Sequence, residues 1–235
     1  MPKAWTYEKE GGETFPVKPR DIWKCGPHII CCGDLQENQL LHYLDKMNVV
    51  NPSITYVDPP WNSGNARHFR TKAGLETQAP VDFAQFLRDL LGPLRELTGD
   101  EGDVFIEGGV KQTPMLHEIA VEMGFQVVQW WTITYYRTKP CTLTHLTKGQ
   151  PVVLPDPEKL EGMDDDFTPG YILGNANPRP KIVLDPCTGR GLTAVTAHKL
   201  GMEFVGFELN PYRISVTLTK LQKLGAGTPE KVDEV

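Results

Sequence analysis

Late in the chain, the apolar strand KIVLD (181–185) runs into the turn PCTGRG, and GLTAVTAHKLG then reads as a helix. A strand that ends in a glycine turn and opens a helix is half of a β-α-β unit. It commits the chain to a mostly parallel sheet covered by helices. The same grammar recurs upstream. HIICCGD (28–34), SITYVDPPWN (53–62) and DVFIEGG (103–109) each stop at Gly, Asp or Pro, and EFVGFEL (203–209) follows the late helix. The helical stretches between them are LQENQLLHYLDKM (35–47), residues 81–98 with a stripe of Phe83, Phe86, Leu87, Leu90, Leu91 and Leu94, residues 113–124, and the final YRISVTLTKLQKL. Pro93 interrupts the second of these, so a kink or two shorter helices are expected there.

Residues 125–137 are β-branched and aromatic and read as two strands or a hairpin. After them, 138–180 is weakly periodic and rich in Pro, Gly and Asp, which suggests a long irregular insertion. The ends, 1–20 and GAGTPEKVDEV, read as a loose lead-in and a frayed tail. A chain of 235 residues suits one compact domain with a sizeable core. No apolar run approaches the roughly 20 residues that span a bilayer, and the N-terminus lacks the apolar core of a signal peptide, so a cytoplasmic protein is expected. The cysteines at 25, 31, 32, 141 and 187 form no C-x-x-C pair. They read as buried thiols, with no metal site.

A net charge of −6 argues against non-specific coating of nucleic acid. The charge is unevenly spread, however. Residues 156–166 carry six acids against Lys159, whereas NARHFRTK and YRTKPCTLTHLTK carry none. Those two segments offer Arg67, Arg70, Lys72, Arg137, Lys139 and Lys148, with His68 and His145, just after predicted strands. Ligands meet α/β sheets at strand ends, so Arg67, Arg70, Arg137 and Lys139, with Asn62, are candidate nucleic-acid contacts.

Gly189-x-Gly191-x-x-Ala194 alone is a weak dinucleotide fingerprint. Glu208, ending the next strand, can accept hydrogen bonds from both hydroxyls of a ribose, which fits NAD and S-adenosylmethionine alike. Asp185-Pro186 favours the second, because a carboxylate there repels a diphosphate and attracts a sulfonium. The other motif is Asp58-Pro59-Pro60-Trp61-Asn62. An exocyclic amine is a poor nucleophile because its lone pair is delocalised into the base ring. Acceptors at Asp58 and at the Pro59 carbonyl would hold its two N–H bonds and stabilise the positive charge that develops on nitrogen. Trp61 offers an aromatic face to a base swung out of its helix.

DPPW followed by D-P-x-x-G-x-G resembles the β-class, permuted DNA amino-methyltransferases, which make N6-methyladenine or N4-methylcytosine. The resemblance covers most of residues 28–222. It implies a seven-stranded, mostly parallel, Rossmann-like fold of the S-adenosylmethionine-dependent methyltransferases in circularly permuted motif order, with an antiparallel strand at one edge and the first strand beside the last. It divides the chain into an N-terminal arm (1–24), a catalytic half (25–137), an insertion or short target-recognition region (138–180) and a cofactor-binding half (181–235). Carried over by residue, Asp58, Pro59, Pro60 and Trp61 match the catalytic motif. Asp185, Pro186, Cys187, Gly189 and Gly191 match the cofactor loop, and Glu208 with the adjoining Leu209 matches the ribose side. Gly33-Asp34 resembles the family's adenine-side turn, and Asp58 borders the cofactor as well.

The family's Lys-Pro-bearing helix before the cofactor loop has no counterpart in GNANPRPKIVLD. Asp at the first catalytic position favours adenine N6 over cytosine N4. The partners implied are DNA and no membrane. A short insertion leaves open relaxed recognition, a very short site or a second subunit, such as a homodimer. The alternatives are an N4-cytosine DNA enzyme, an RNA adenosine-N6 enzyme, an NAD-dependent oxidoreductase and a non-catalytic nucleic-acid-binding subunit. A restriction-modification role, solitary action and mobile-element defence all stay open.

Overall fold

The computed structural model describes residues 15–33, 52–75, 81–97 and 102–234. The expected helix 35–47 and Asp34 lie outside them. One sheet organises the rest: β1 (Asp21–Cys25), β2 (His28–Cys32), β3 (Ile54–Val57), β4 (Asp103–Gly108), β5 (Gln126–Tyr135), β6 (Lys139–Thr147), β7 (Ile182–Asp185), β8 (Glu203–Glu208) and β9 (Glu230–Glu234). Their spatial order is β5-β6-β4-β3-β7-β8-β2-β1-β9. The run from β4 to β2 is parallel throughout, while β6 runs against both β4 and β5.

The fold class is the expected one, with nine strands rather than seven. The stretch β5-β6-β4-β3-β7-β8-β2 supplies seven. The short β1 and the C-terminal β9 then extend the β2 edge as antiparallel strands. Asp21–Cys25 closes the segment read as an arm, and Glu230–Glu234 lies within the tail read as frayed. HIICC does pair with EFVGFE, in parallel register from Ile29↔Val205 to Cys32↔Glu208. The hairpin expected within 125–137 is a single strand. Its partner, Lys139–Thr147, lies in the stretch read as irregular.

Six α-helices cover the sheet among the described residues: α1 (Ser63–Lys72), α2 (Phe83–Leu97), α3 (Thr113–Glu122), α4 (Thr168–Asn175), α5 (Leu192–Lys199) and α6 (Pro211–Lys223). Pro93 sits inside α2, which stays one element. The period-two alternation of the strands sorts the core into two layers. Ile54, Tyr56 and Phe105 face one side, with Ile172, Ala194 and Leu218 from α4, α5 and α6. Val57, Val104 and Ile106 face the other, with Leu90 and Ile119 from α2 and α3. No described helix is long and apolar enough to cross a membrane.

This order fixes where a ligand can sit. From β3 the chain moves outward to β4, and from β7 it moves the opposite way to β8, although β3 and β7 are hydrogen-bonded neighbours. Their carboxyl ends therefore flank the point where the winding reverses, and loops leaving such adjacent strands diverge to leave a crevice. Asp58 follows the last residue of β3, and Asp185 is the last residue of β7.

Candidate active site

The two motifs meet across that crevice. Two prolines, which cannot donate to the ladder, end β3. Asn62 then caps α1, its side chain accepting from the Asn65 N–H at 2.9 Å while its own amide donates to Asn65 Oδ1. Within the DPPW turn, Trp61 Nε1 donates to Asp58 Oδ1 at 2.9 Å, which fixes the carboxylate relative to the indole. Trp61 packs edge-on against Tyr135, with ring centroids 5.1 Å apart.

On the facing loop, Asp185 Oδ1 accepts from the Cys187 N–H at 2.9 Å, and Thr188 Oγ1 donates to the Asp185 carbonyl at 3.0 Å. The Thr188 N–H donates to the Phe207 carbonyl, stitching the loop to β8. Gly191 opens α5 with φ +79°, and a Cβ there would lie 2.5 Å from Thr217 Cγ2. Both the dihedral and the close approach thus require glycine. At the end of β8, Glu208 accepts from the Asn210 N–H at 2.8 Å and faces Arg213 at 3.5 Å. The Arg213 guanidinium lies over the Phe69 ring, 4.8 Å from its centroid, and the Asn210 amide donates to the Lys72 carbonyl. The ends of α1 and α6 thereby close one end of the site.

The result is a cavity of about 440 Å³, within the range of roughly 300–1,000 Å³ usual for small-molecule sites. Asp58, Pro59, Pro60 and Trp61 line it from one side, and Pro186, Cys187, Gly189, Glu208 and Leu209 from the other, with Arg70, Lys139 and Gly33 at its wall. Asp185 and Gly191 are not lining residues; they shape the loop from behind. Asn62, Arg67 and Arg137 also lie off the cavity wall. Phe69, Tyr135 and Arg213, which sequence reasoning missed, do line it. His145, read as part of a basic surface segment, is buried and bonds Asp103 at 2.6 Å, so it belongs to the core.

Carboxylates crowd this floor. Asp58 is exposed where it lines the cavity. Desolvation by the protein packed around it pushes it up to about 6, with Asp165 adding to the rise while the Trp61 bond and the Arg213 charge oppose it. Burial pushes Asp185 up to about 7 against its bonds from Cys187 and Thr193. Glu208 is also raised by burial, with Arg213 opposing. Neither Asp58 nor Asp185 has a lysine or arginine ion-pair partner among the described residues, although Arg213 lies near enough to act on Asp58. Such a set fits a cationic ligand: Asp58 and Asp185 without an ion-pair partner among the described residues, a ribose-competent Glu208 and a glycine loop that admits close approach.

Glu107, the penultimate residue of β4, lies beside Asp58, since Val57 pairs with Ile106. It is buried, and burial together with the Asp58 charge drives its carboxyl well above the usual range. Proton counting agrees. Glu107 contacts the Tyr56 hydroxyl, Tyr56 contacts the Thr168 hydroxyl, and Thr168 reaches the Asp165 carbonyl. Three contacts need three protons, and two hydroxyls supply two. A neutral Glu107 supplies the third, giving a consistent chain from Glu107 to Tyr56 to Thr168 to the Asp165 carbonyl. It also spares Asp58 a charged neighbour.

These shifts set a sign for stability. A carboxyl raised in the folded state holds protons that the unfolded chain has released, so its contribution is present at low pH and lost as pH rises through the folded value. His28, lowered to about 4 by burial and by His198, acts oppositely, but below about 6.5. Between pH 6.5 and 8 the ligand-free protein is therefore expected to lose thermal stability, with Asp185 contributing to the slope. Melting curves of the protein and of Asp185→Asn test this: a rising melting temperature, or an unchanged slope in the variant, contradicts it.

No protein-family model matches the chain, and no curated protein sequence matches it. Solved structures do. The M1.HpyAVI–SAM complex superposes with a TM-score of 0.62 at 16% identity, covering 83% of this chain and 98% of that one. TTHA0409 from Thermus thermophilus, described as a putative DNA modification methylase complexed with S-adenosyl-L-methionine, gives 0.56 at 15% identity, covering 83% and 92%. PvuII DNA methyltransferase, cytosine-N4-specific, gives 0.57 at 10% identity, covering 82% and 88%. At these identities the likeness establishes a shared fold.

Proposed function

We propose that the chain is a DNA methyltransferase that uses S-adenosylmethionine to methylate the exocyclic N6 of adenine. One observation carries this reading: DPPW and the DPCTGRG loop leave adjacent parallel strands and enclose one cavity, with Glu208 on its wall. The fold shared with TTHA0409, a putative DNA modification methylase, and with PvuII DNA methyltransferase supports its DNA-methylating part.

In this reading the bound cofactor supplies an electrophilic methyl group. Asp185, through the loop it anchors, and Glu208 hold the methionine and ribose ends. Asp58 and the Pro59 carbonyl accept the two N–H bonds of the target amine, drawing its lone pair out of the ring. Trp61, braced by Tyr135, offers a face to the extruded base, and stacking of this kind contributes about 1–3 kcal/mol. Neutral Glu107 keeps the floor beside Asp58 from carrying a second charge, and the proton released from nitrogen passes to solvent or a nearby acceptor.

The test is incubation with labelled S-adenosylmethionine and genomic DNA, followed by nucleoside analysis. N6-methyladenine is the expected product. N4-methylcytosine moves the assignment to the activity named for PvuII methyltransferase. Label entering RNA but not DNA, or binding of nicotinamide cofactor instead, overturns it.

A further inference from the structure

The β5–β6 turn is built against the preference of its own residues. Tyr136 has φ +49° and Arg137 φ +59°, two consecutive side-chain-bearing residues in the left-handed region where glycine or asparagine is usual. Each such residue is strained and persists only where its surroundings hold it. Two acids do so. The Arg137 N–H donates to Asp164 Oδ2 at 2.5 Å, and the Tyr136 N–H reaches Asp165 Oδ1 at 3.4 Å. The turn thus presents a large ring where a bare backbone would fold more easily.

That ring lies against Tyr135, which lines the cavity. Tyr136 is 56% exposed. It packs on Tyr135, centroids 4.1 Å apart, and Tyr135 packs on Trp61. Three aromatic rings therefore run from the catalytic turn to the surface, flanked by Arg137 and by Lys139 on the cavity wall. An enzyme that draws a base from duplex DNA leaves a gap in the stack, and an inserted apolar or aromatic side chain offsets part of the unstacking cost. We propose that Tyr136 is this wedge: it enters the duplex in place of the extruded base, with Arg137 on the adjoining phosphate. This rests on the DNA methyltransferase reading above.

The left-handed backbone supplies a clean variant. Glycine adopts φ near +50° without strain, so Tyr136→Gly removes the ring and leaves the turn at least as well folded. On sonicated genomic duplex DNA with labelled S-adenosylmethionine, its turnover is expected to fall at least about tenfold. Cofactor affinity and anisotropy-measured affinity for a random-sequence duplex should change less than about threefold. Tyr136→Phe should stay within about threefold of the parent, since a wedge needs the ring and not the hydroxyl. On the same DNA heat-denatured and chilled, where unstacking is already done, Tyr136→Gly should lose less than about threefold. A glycine variant as active on duplex as the parent, a phenylalanine variant as impaired as glycine, or equal losses on duplex and denatured DNA each overturn the wedge. A parent protein that labels no DNA overturns the methyltransferase reading instead, and the wedge with it.

Discussion

Asp58→Ala is expected to lower methyl transfer by about a thousandfold or more while cofactor affinity stays within about fivefold. The asymmetry follows from position. Asp58 leaves β3 on the DPPW side of the crevice, whereas Glu208, Cys187 and Gly189 line the opposite wall. Its carboxylate accepts from Trp61 Nε1 and has no ion-pair partner among the described residues, so alanine removes one hydrogen bond and leaves no cation unpaired. What is lost is an acceptor that matters most as nitrogen becomes positive, and such a group acts on turnover more than on binding. Because the surrounding protein holds Asp58 above the usual carboxylate range in the ligand-free state, the ionised acceptor fades on acidification, and turnover should fall as pH drops. Asp58→Asn keeps one acceptor oxygen without charge and should lie between the parent and alanine. Single-turnover rates with saturating cofactor, beside equilibrium binding of S-adenosylmethionine, separate the two effects. Full activity in the alanine variant ends this mechanism, and equal loss of turnover and cofactor binding relocates Asp58 to the cofactor side.

Much of this site was legible because its chemistry is local. In DPPW, the strand end, the paired prolines and the acid are contiguous. In DPCTGRG and Glu208, one β-α-β unit carries the whole signal. The permuted order was legible for the same reason, since each half announces itself by a strand stopping at its own turn. The residues missed depend on contacts that no local pattern encodes. Tyr135 reaches Trp61 only because β5 pairs with β6 at the far edge of the sheet, a long way along the chain from the DPPW turn. Arg213 and Phe69 meet because α1 and α6 converge over one end of the cavity. KPCTLTHLT reads as irregular because Pro140 and three threonines blur its alternation, yet it lies between two strands. There His145 stacks on Phe105 and bonds Asp103, partners brought together by register alone. The two added strands evaded notice for opposite reasons: DIWKC is short, and EKVDE is a charged edge strand that resembles a solvated tail.

Glu208→Ala should weaken S-adenosylmethionine binding by about a hundredfold, with turnover at saturating cofactor falling less than about fivefold. A carboxylate accepting two ribose hydroxyls makes two charge-assisted hydrogen bonds, each contributing about 1.5–3 kcal/mol. The lower end of their sum already corresponds to two decades in affinity. The carboxylate is prepared for this role. Its Oε1 is held by the Asn210 N–H, and its Oε2 faces Arg213 at 3.5 Å, longer than a good charged hydrogen bond. Removing it leaves Arg213 stacked on Phe69 with no carboxylate at that distance, adding a cation to a cavity whose proposed ligand is itself cationic. The double variant Glu208→Ala/Arg213→Ala should therefore bind cofactor more tightly than Glu208→Ala alone, as a coupled pair requires. Calorimetric titration of the three proteins distinguishes the cases. Loss of turnover with affinity intact would place Glu208 on the reacting side of the cavity, and a double variant weaker than the single would make Arg213 a ligand-binding residue in its own right.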